Sequence, residues 1–440
     1  MRLGISLGAI HDSAERYPAP NCHPDTRKAV RKIILDWIHS ESSASSFLWL
    51  YGPAGAGKTA ILQAIADFLC NSSEFSQNFG GSFFFSRGKK GRDQGHFLFS
   101  TIAYQLALNV PGLRQHVNRT MESNPTLHTK SMAVQLKALI VKAFKDLSPL
   151  PQHSYLVIID GLDECHDKAT QQLILRLLRE TITDHKLPLR FLIGSRPESH
   201  IRASFHQESL NTITHRVVLD ERYNPGRDIK VFLQDGFSKI YAENSILSHV
   251  EQPWPEKGVI DLLVQRSSGQ FIYAATVLKF VGDDFCSPTK QLALVLKPDH
   301  TAFSDLDQLY TQILSVYPSE VNIARVLGVI VASDENLPEV VEDILGMERG
   351  ELKQVLHGLL SLMEDENNED DVNDENDKNG ECLNKGIISY VIPHFAHVSF
   401  SDYLFDSSRS GPFHVNQQEY ENQVTIRSFT LIMQSIRSWR

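Results

Sequence analysis

Gly52-Pro53-Ala54-Gly55-Ala56-Gly57-Lys58-Thr59 is the stretch of this sequence best equipped for chemistry. It fits G-x-x-x-x-G-K-[ST], the pattern of a loop that cradles phosphates. Its glycines let the backbone bend so that successive N–H groups can face an anion. A helix starting at Lys58 adds the positive end of its dipole. Lys58 can then reach the β- and γ-phosphates of a nucleotide, and the Thr59 hydroxyl can ligate Mg²⁺.

Such a loop needs partners that hold the cation and handle water. Leu156-Val157-Ile158-Ile159 runs into Asp160, a carboxylate placed to hold Mg²⁺ through its water shell. Asp163 and Glu164 follow, and either can orient or deprotonate an attacking water. Both also suit the cap of the next helix. Arg196 closes another apolar run, where a guanidinium can sense or stabilise a γ-phosphate. Thr26 and Arg27 offer contacts to a base or ribose, or simply a helix start. His397 offers a report on bound phosphate from a distal module, or a helix cap. The other histidines show no metal-ligand spacing, and no G-x-S-x-G elbow is present.

The elements that must position these groups alternate. Phe47–Tyr51, 81–86, Tyr155–Asp160, Leu189–Ser195 and 216–219 read as strands. Helical patterns lie at 26–39, after Lys58, and at 97–108, 132–147 and 170–182. This order predicts an α/β fold with a mostly parallel sheet covered on both faces. Ligands of such sheets bind beyond the carboxyl ends of the strands, which puts 52–59, Asp160 and Arg196 on one edge. After residue 222 strand signals give way to helices at 228–242, 259–281, 306–316, 321–332, 339–345 and 351–363. A strand-like stretch at 387–395, a helix at 397–405 and a helical tail at 417–440 follow. Helices with a strand pair suit a winged-helix module. The expected layout is a lead-in over 1–45, a nucleotide domain over 46–222, a helical domain over 223–300, a winged helix over 301–405 and the start of a helical region over 406–440.

At 440 residues the chain is too long for one core. Its net charge of −10 is concentrated in 364–381, where ten acids face one lysine. That run reads as a solvated insertion in the wing. The remainder is nearly neutral, so neither nucleic acid nor a membrane is expected as a partner. Five scattered cysteines without a C-x-x-C pair argue against disulfides or zinc and for a reducing, cytoplasmic location. The N-terminus lacks a convincing signal peptide, and no apolar stretch is long enough to span a bilayer.

GPAGAGKT, FFFSR, LVIIDGLDEC, FLIGSRPE, SGQFIYAATVLKF and HVSFSDYL occur in this order. Together they resemble the NACHT-domain proteins abundant in fungi, of the nephrocystin 3-like N-terminal type, over about residues 17–405. That resemblance implies a signal-transducing NTPase in which an ADP-bound closed form gives way to an ATP-bound form that oligomerises, in immune-like or self/non-self signalling. It implies phosphate and Mg²⁺ roles for Lys58 and Thr59, a metal role for Asp160, a hydrolytic role for the Asp163-Glu164 pair and γ-phosphate sensing by Arg196. His397 sits near a winged-helix histidine that contacts the ADP phosphate in related switches. The sequence departs from the pattern where Gly161, not an acid, follows Asp160. Where animal and plant relatives use Gly-x-Pro at adenine, it reads Gly269-Gln270-Phe271. Relatives often carry effector and repeat domains, so the chain is expected to be a fragment or reduced core.

The functional expectation is a slow nucleotide switch using ATP or GTP with Mg²⁺, self-associating when activated. A constitutive NTPase or kinase is the alternative, although only 87–92 offers basic residues for a lid. A nucleic-acid-binding winged helix is a third reading, opposed by the acidic wing.

Overall fold

Alternation along the strands decides the architecture of the first half of the chain. In the computed structural model, Phe47 and Trp49, Tyr155, Val157 and Ile159, and Phe191 and Ile193 all enter one buried cluster. Leu48 and Leu50, Leu156 and Ile158, and Leu192 enter the other. A strand whose odd and even residues are both buried must be covered on both faces. The structure describes residues 4–40, 45–73, 75–283, 286–297, 304–316, 322–333, 338–357, 359–363, 395 and 397–438.

Five strands form one sheet: β1 (Phe47–Tyr51), β2 (Phe79–Phe84), β3 (Tyr155–Asp160), β4 (Leu189–Ser195) and β5 (Thr214–Val218). They run in the order β2-β3-β4-β1-β5, every pairing parallel. All carboxyl ends therefore share one edge. β4 lies between β1 and β3, with Tyr51 opposite Ser195 and Ile159 opposite Ile193.

Three helices matter most for the site. α1 (Lys28–His39) and α2 (Lys58–Asn71) cover the even face through Val30, Ile34, Ile61, Leu62 and Ile65. α3 (Leu98–Asn109) covers the odd face through Leu98, Phe99, Ile102 and Leu106. The pattern over 132–147 forms a helix over Met132–Lys145 with a π-helical stretch at Leu136–Val141. β1, β3 and β4 coincide with the expected runs, while β2 and β5 start two residues earlier than expected.

The chain divides into two compact units. The first comprises Met1–Phe232 with Gly269–Phe271, and the second the rest. The lead-in thus belongs to the sheet unit. Its irregular first part makes short 3-10 turns at Leu7–Ala9 and Ala14–Arg16. Ser6 N donates to Thr101 Oγ1 (3.0 Å) on α3, and His11 N to Ser82 Oγ (3.0 Å) on β2. The backbone of edge strand β2 is paired at Ser82 by the Gln105 side chain, which accepts from Ser82 N (2.8 Å) and donates to the Ser82 carbonyl (2.8 Å).

Among the described residues of the second unit the regular elements are helices, and one antiparallel bridge joins Met363 and Phe395. The single helix expected over 259–281 is two, Val259–Ser267 and Phe271–Val281. Ser268 and Gly269 separate them with φ of 47° and 77°, a left-handed pair that apolar periodicity does not reveal. The helix expected over 351–363 ends at His357, followed by a 3-10 turn at Leu360–Leu362. Inside this unit Arg409 clamps Asp307 with two bonds, of 2.6 and 3.2 Å. Tyr310 donates to or accepts from Ser399 Oγ at 2.8 Å. The acidic run 364–381 and nearly all of the strand-like stretch 387–395 lie outside the described residues.

Candidate functional site

The phosphate-loop sequence forms the turn from β1 into α2. Gly55 and Gly57 take φ of 70° and 87°, a region costly for side-chain-bearing residues. Gly57 is the N-cap of α2, and no side chain caps that end. The first-turn N–H groups of a helix so begun are suited to an anion. Lys58 Nζ donates to the carbonyls of Gly52 (3.0 Å) and Pro53 (2.9 Å), which folds the ammonium back across the loop. Burial lowers its pKa, while Asp163, Asp160 and Glu164 oppose that shift. Those four side chains therefore share one electrostatic neighbourhood.

Asp160 ends β3 on the even face, the face that α2 covers. Its carboxylate accepts a hydrogen bond from the Thr59 side chain. It is 2% exposed, and its Oδ1 has no hydrogen-bond partner. Burial raises its pKa; the Thr59 bond and the Lys58 charge pull the other way. Gly194 makes room for it. A Cβ there would lie 2.6 Å from Asp160 Oδ1 and 2.5 Å from Leu62 Cδ1. Periodicity offered no hint of this glycine, since its role is a close approach from the neighbouring strand.

Asp163 and Glu164 sit in a 3-10 turn directly after β3 and divide the work. Asp163, 6% exposed, accepts from the Arg196 backbone N–H (2.8 Å) and pairs with Arg196 Nε (3.3 Å). It is thereby committed to fixing the residue that follows β4. Glu164 accepts only a longer bond, 3.2 Å, from the Arg87 backbone N–H. Burial, helped by the negative charges of Asp163 and Asp160, pushes its carboxyl up to about 7. Neither acid caps the next helix, Lys168–Thr183; Asp167 does. Arg87 Nη2 also reaches the Asp163 carbonyl (3.4 Å), a contact not foreseen from the FFFSR run.

Arg27 is buried and donates from Nη2 to the loop carbonyl of Ala56 (2.8 Å). Its guanidinium lies 4.7 Å from the centre of the Phe271 ring, and its backbone N–H donates to Asp228 (2.8 Å). Thr26 bonds the His23 carbonyl (3.0 Å). In the second unit His397 is the N-cap of Val398–Leu404. Its Nδ1 accepts from Ser399 N (3.1 Å) and lies 2.7 Å from Ser399 Oγ. An Nδ1 that accepts puts the ring proton on Nε2.

Residues 30–196 match the family model described as nephrocystin 3, N-terminal. The matched stretch runs from α1 to the end of β4, and holds the phosphate loop, Asp160, the Asp163-Glu164 pair and Arg196. No curated protein matches the chain.

Proposed function

With residues 30–196 of the nephrocystin 3 N-terminal type as the starting point, we propose that this protein is a nucleotide-operated switch of the NACHT class. It binds a nucleoside triphosphate, ATP or GTP, with Mg²⁺ at the carboxyl edge of the sheet. The observation that carries the reading is a Lys58 ammonium folded over a glycine-rich turn, with the buried Asp160 carboxylate in the same electrostatic neighbourhood. A buried carboxylate with one oxygen left without a hydrogen-bond partner suits a cation. Among the described residues no three His, Cys, Asp or Glu side chains gather around a metal. That fits Mg²⁺, which is held by few protein ligands, water and phosphates.

In this reading residues 52–57 and Lys58 bind the phosphates, and Thr59 and Asp160 hold Mg²⁺. When bound, Mg²⁺ neutralises charge on the β- and γ-oxygens. Glu164 is the base that takes a proton from water, because its carboxyl is poised near neutrality while Asp163 is spent on Arg196. Arg196, held by that pair, senses the γ-phosphate. Hydrolysis is slow, and the triphosphate form self-associates. Switching requires that di- and triphosphate favour different arrangements with different affinities.

The test is the mass of the purified chain with ADP and with a non-hydrolysable ATP analogue, beside Lys58→Ala. The reading expects a larger species with the analogue in the wild type alone. Identical mass in all samples, with turnover well above one per second, returns the constitutive enzyme.

A further inference from the structure

The segment ahead of α1 delivers a buried cation to the back of the proposed nucleotide site. Arg16 is 7% exposed and stands in the second 3-10 turn of the lead-in. Its Nη1 donates to Gln63 Oε1 (2.8 Å) and to the His11 carbonyl (3.1 Å). Its guanidinium lies 3.6 Å from the centre of the Phe84 ring. Both contacts are next to the Mg²⁺ residues. Gln63 is one turn beyond Thr59 on α2, and residues four apart share a helix face. Phe84 is directly opposite Asp160 in the β2–β3 register. The Arg16 charge also acts on the Asp160 carboxylate. A buried guanidinium is costly unless it is used, since desolvating a charge outweighs most packing gains.

The grip on this turn is specific. Gln63, itself 3% exposed, donates from Nε2 to the same His11 carbonyl (3.0 Å) and to Asp67 Oδ1 (2.8 Å). Glu15 pairs with Arg92 across 3.7 Å, and Arg92 Nε donates to the Phe84 carbonyl (3.3 Å). The Ala14–Arg16 turn is therefore tied to the second turn of α2 and to the end of β2.

We infer that Arg16 is a positioning residue for Mg²⁺: it joins α2 to the end of β2 and sets the Thr59–Asp160 pair for the cation. The inference rests on the nucleotide reading above and adds a third element, the lead-in, to the site. It also makes cation-dependent binding conditional on docking of residues 4–16, a segment outside the matched stretch 30–196.

The experiment uses the full chain and a fluorescent ATP analogue, titrated with excess Mg²⁺ and again with chelator. Arg16→Gln should keep its metal-free affinity and lose about tenfold of the Mg²⁺-dependent gain, the size of one charge-assisted contact. Arg16→Lys, which keeps the charge, should recover most of that gain. Gln63→Glu, which neutralises Arg16 in place, should lose gain as Arg16→Gln does, and decides the matter if Arg16→Gln does not fold. An unchanged Mg²⁺-dependent gain in both Arg16→Gln and Gln63→Glu overturns the inference. So does loss of metal-free binding in step with the gain, with no recovery in Arg16→Lys, the mark of a plain structural brace. A wild type that binds without any Mg²⁺-dependent gain overturns the nucleotide-site reading itself, and this inference falls with it.

Discussion

Glu164→Gln separates the cost of the site from its use. The folded carboxyl titrates at about 7, against an ordinary value of 4.5. Folding therefore disfavours the ionised form. The cost is absent below about pH 4.5, grows as pH rises to 7, and is complete above that. At about 1.4 kcal/mol per tenfold, it comes to about 3 kcal/mol near pH 8. Glu164 keeps partial access to solvent, so about 1–3 kcal/mol is the expected range. Glutamine keeps the acceptor for the Arg87 N–H and never ionises. The variant should therefore be more stable than wild type near pH 8 and equal to it near pH 4.5, while hydrolysing nucleotide far more slowly. Urea unfolding of the apo chain at both values, followed by tryptophan fluorescence, measures this; Trp37 and Trp49 report on the sheet unit. Equal or lower stability of Glu164→Gln near pH 8 refutes the claim that this carboxylate is held at an unfavourable charge.

Three further outcomes follow from the same geometry. Single-turnover hydrolysis by wild type should rise with pH through about 7 and level off above it, as Glu164 ionises; a flat profile between pH 6 and 8 contradicts the assignment of the base. Gly194→Ala should cost about 1–3 kcal/mol by overpacking and weaken Mg²⁺-dependent nucleotide binding, because the new Cβ meets Asp160 Oδ1 at 2.6 Å; thermal unfolding and nucleotide titration check both. Asp163→Asn should destabilise by about 1–3 kcal/mol, since Arg196 Nε loses its charged partner at 3.3 Å, and should slow hydrolysis more than it weakens binding.

Much of the sheet unit could be read from residue order. Continuous apolar runs stopped by a charge or a glycine gave β1 and β3 their limits, and the mainly apolar run Leu189–Ser195, stopped by Arg196, gave those of β4. The loop at 52–59 and the carboxylate at 160 were legible because their chemistry is local. The division of labour between Asp163 and Glu164 was not. It depends on Arg196, which is 33 residues away in sequence and meets Asp163 only once β4 lies beside β3. Gly194 and Arg16 were missed for the same reason: one acts by leaving space, the other by crossing from an irregular segment with no period to detect. The break at Ser268–Gly269 was hidden by apolar residues on both sides that keep helical spacing.

In the proposed function Lys58, Thr59 and Asp160 together hold a nucleoside triphosphate and Mg²⁺. Equilibrium titration of the full chain with a fluorescent ATP analogue in Mg²⁺, wild type against Lys58→Ala, tests it most directly. Binding should saturate, and should weaken by roughly 30-fold or more in the variant, the value of about 2 kcal/mol for a charged contact to phosphate. Equal binding by the two proteins, or none by the wild type, contradicts it.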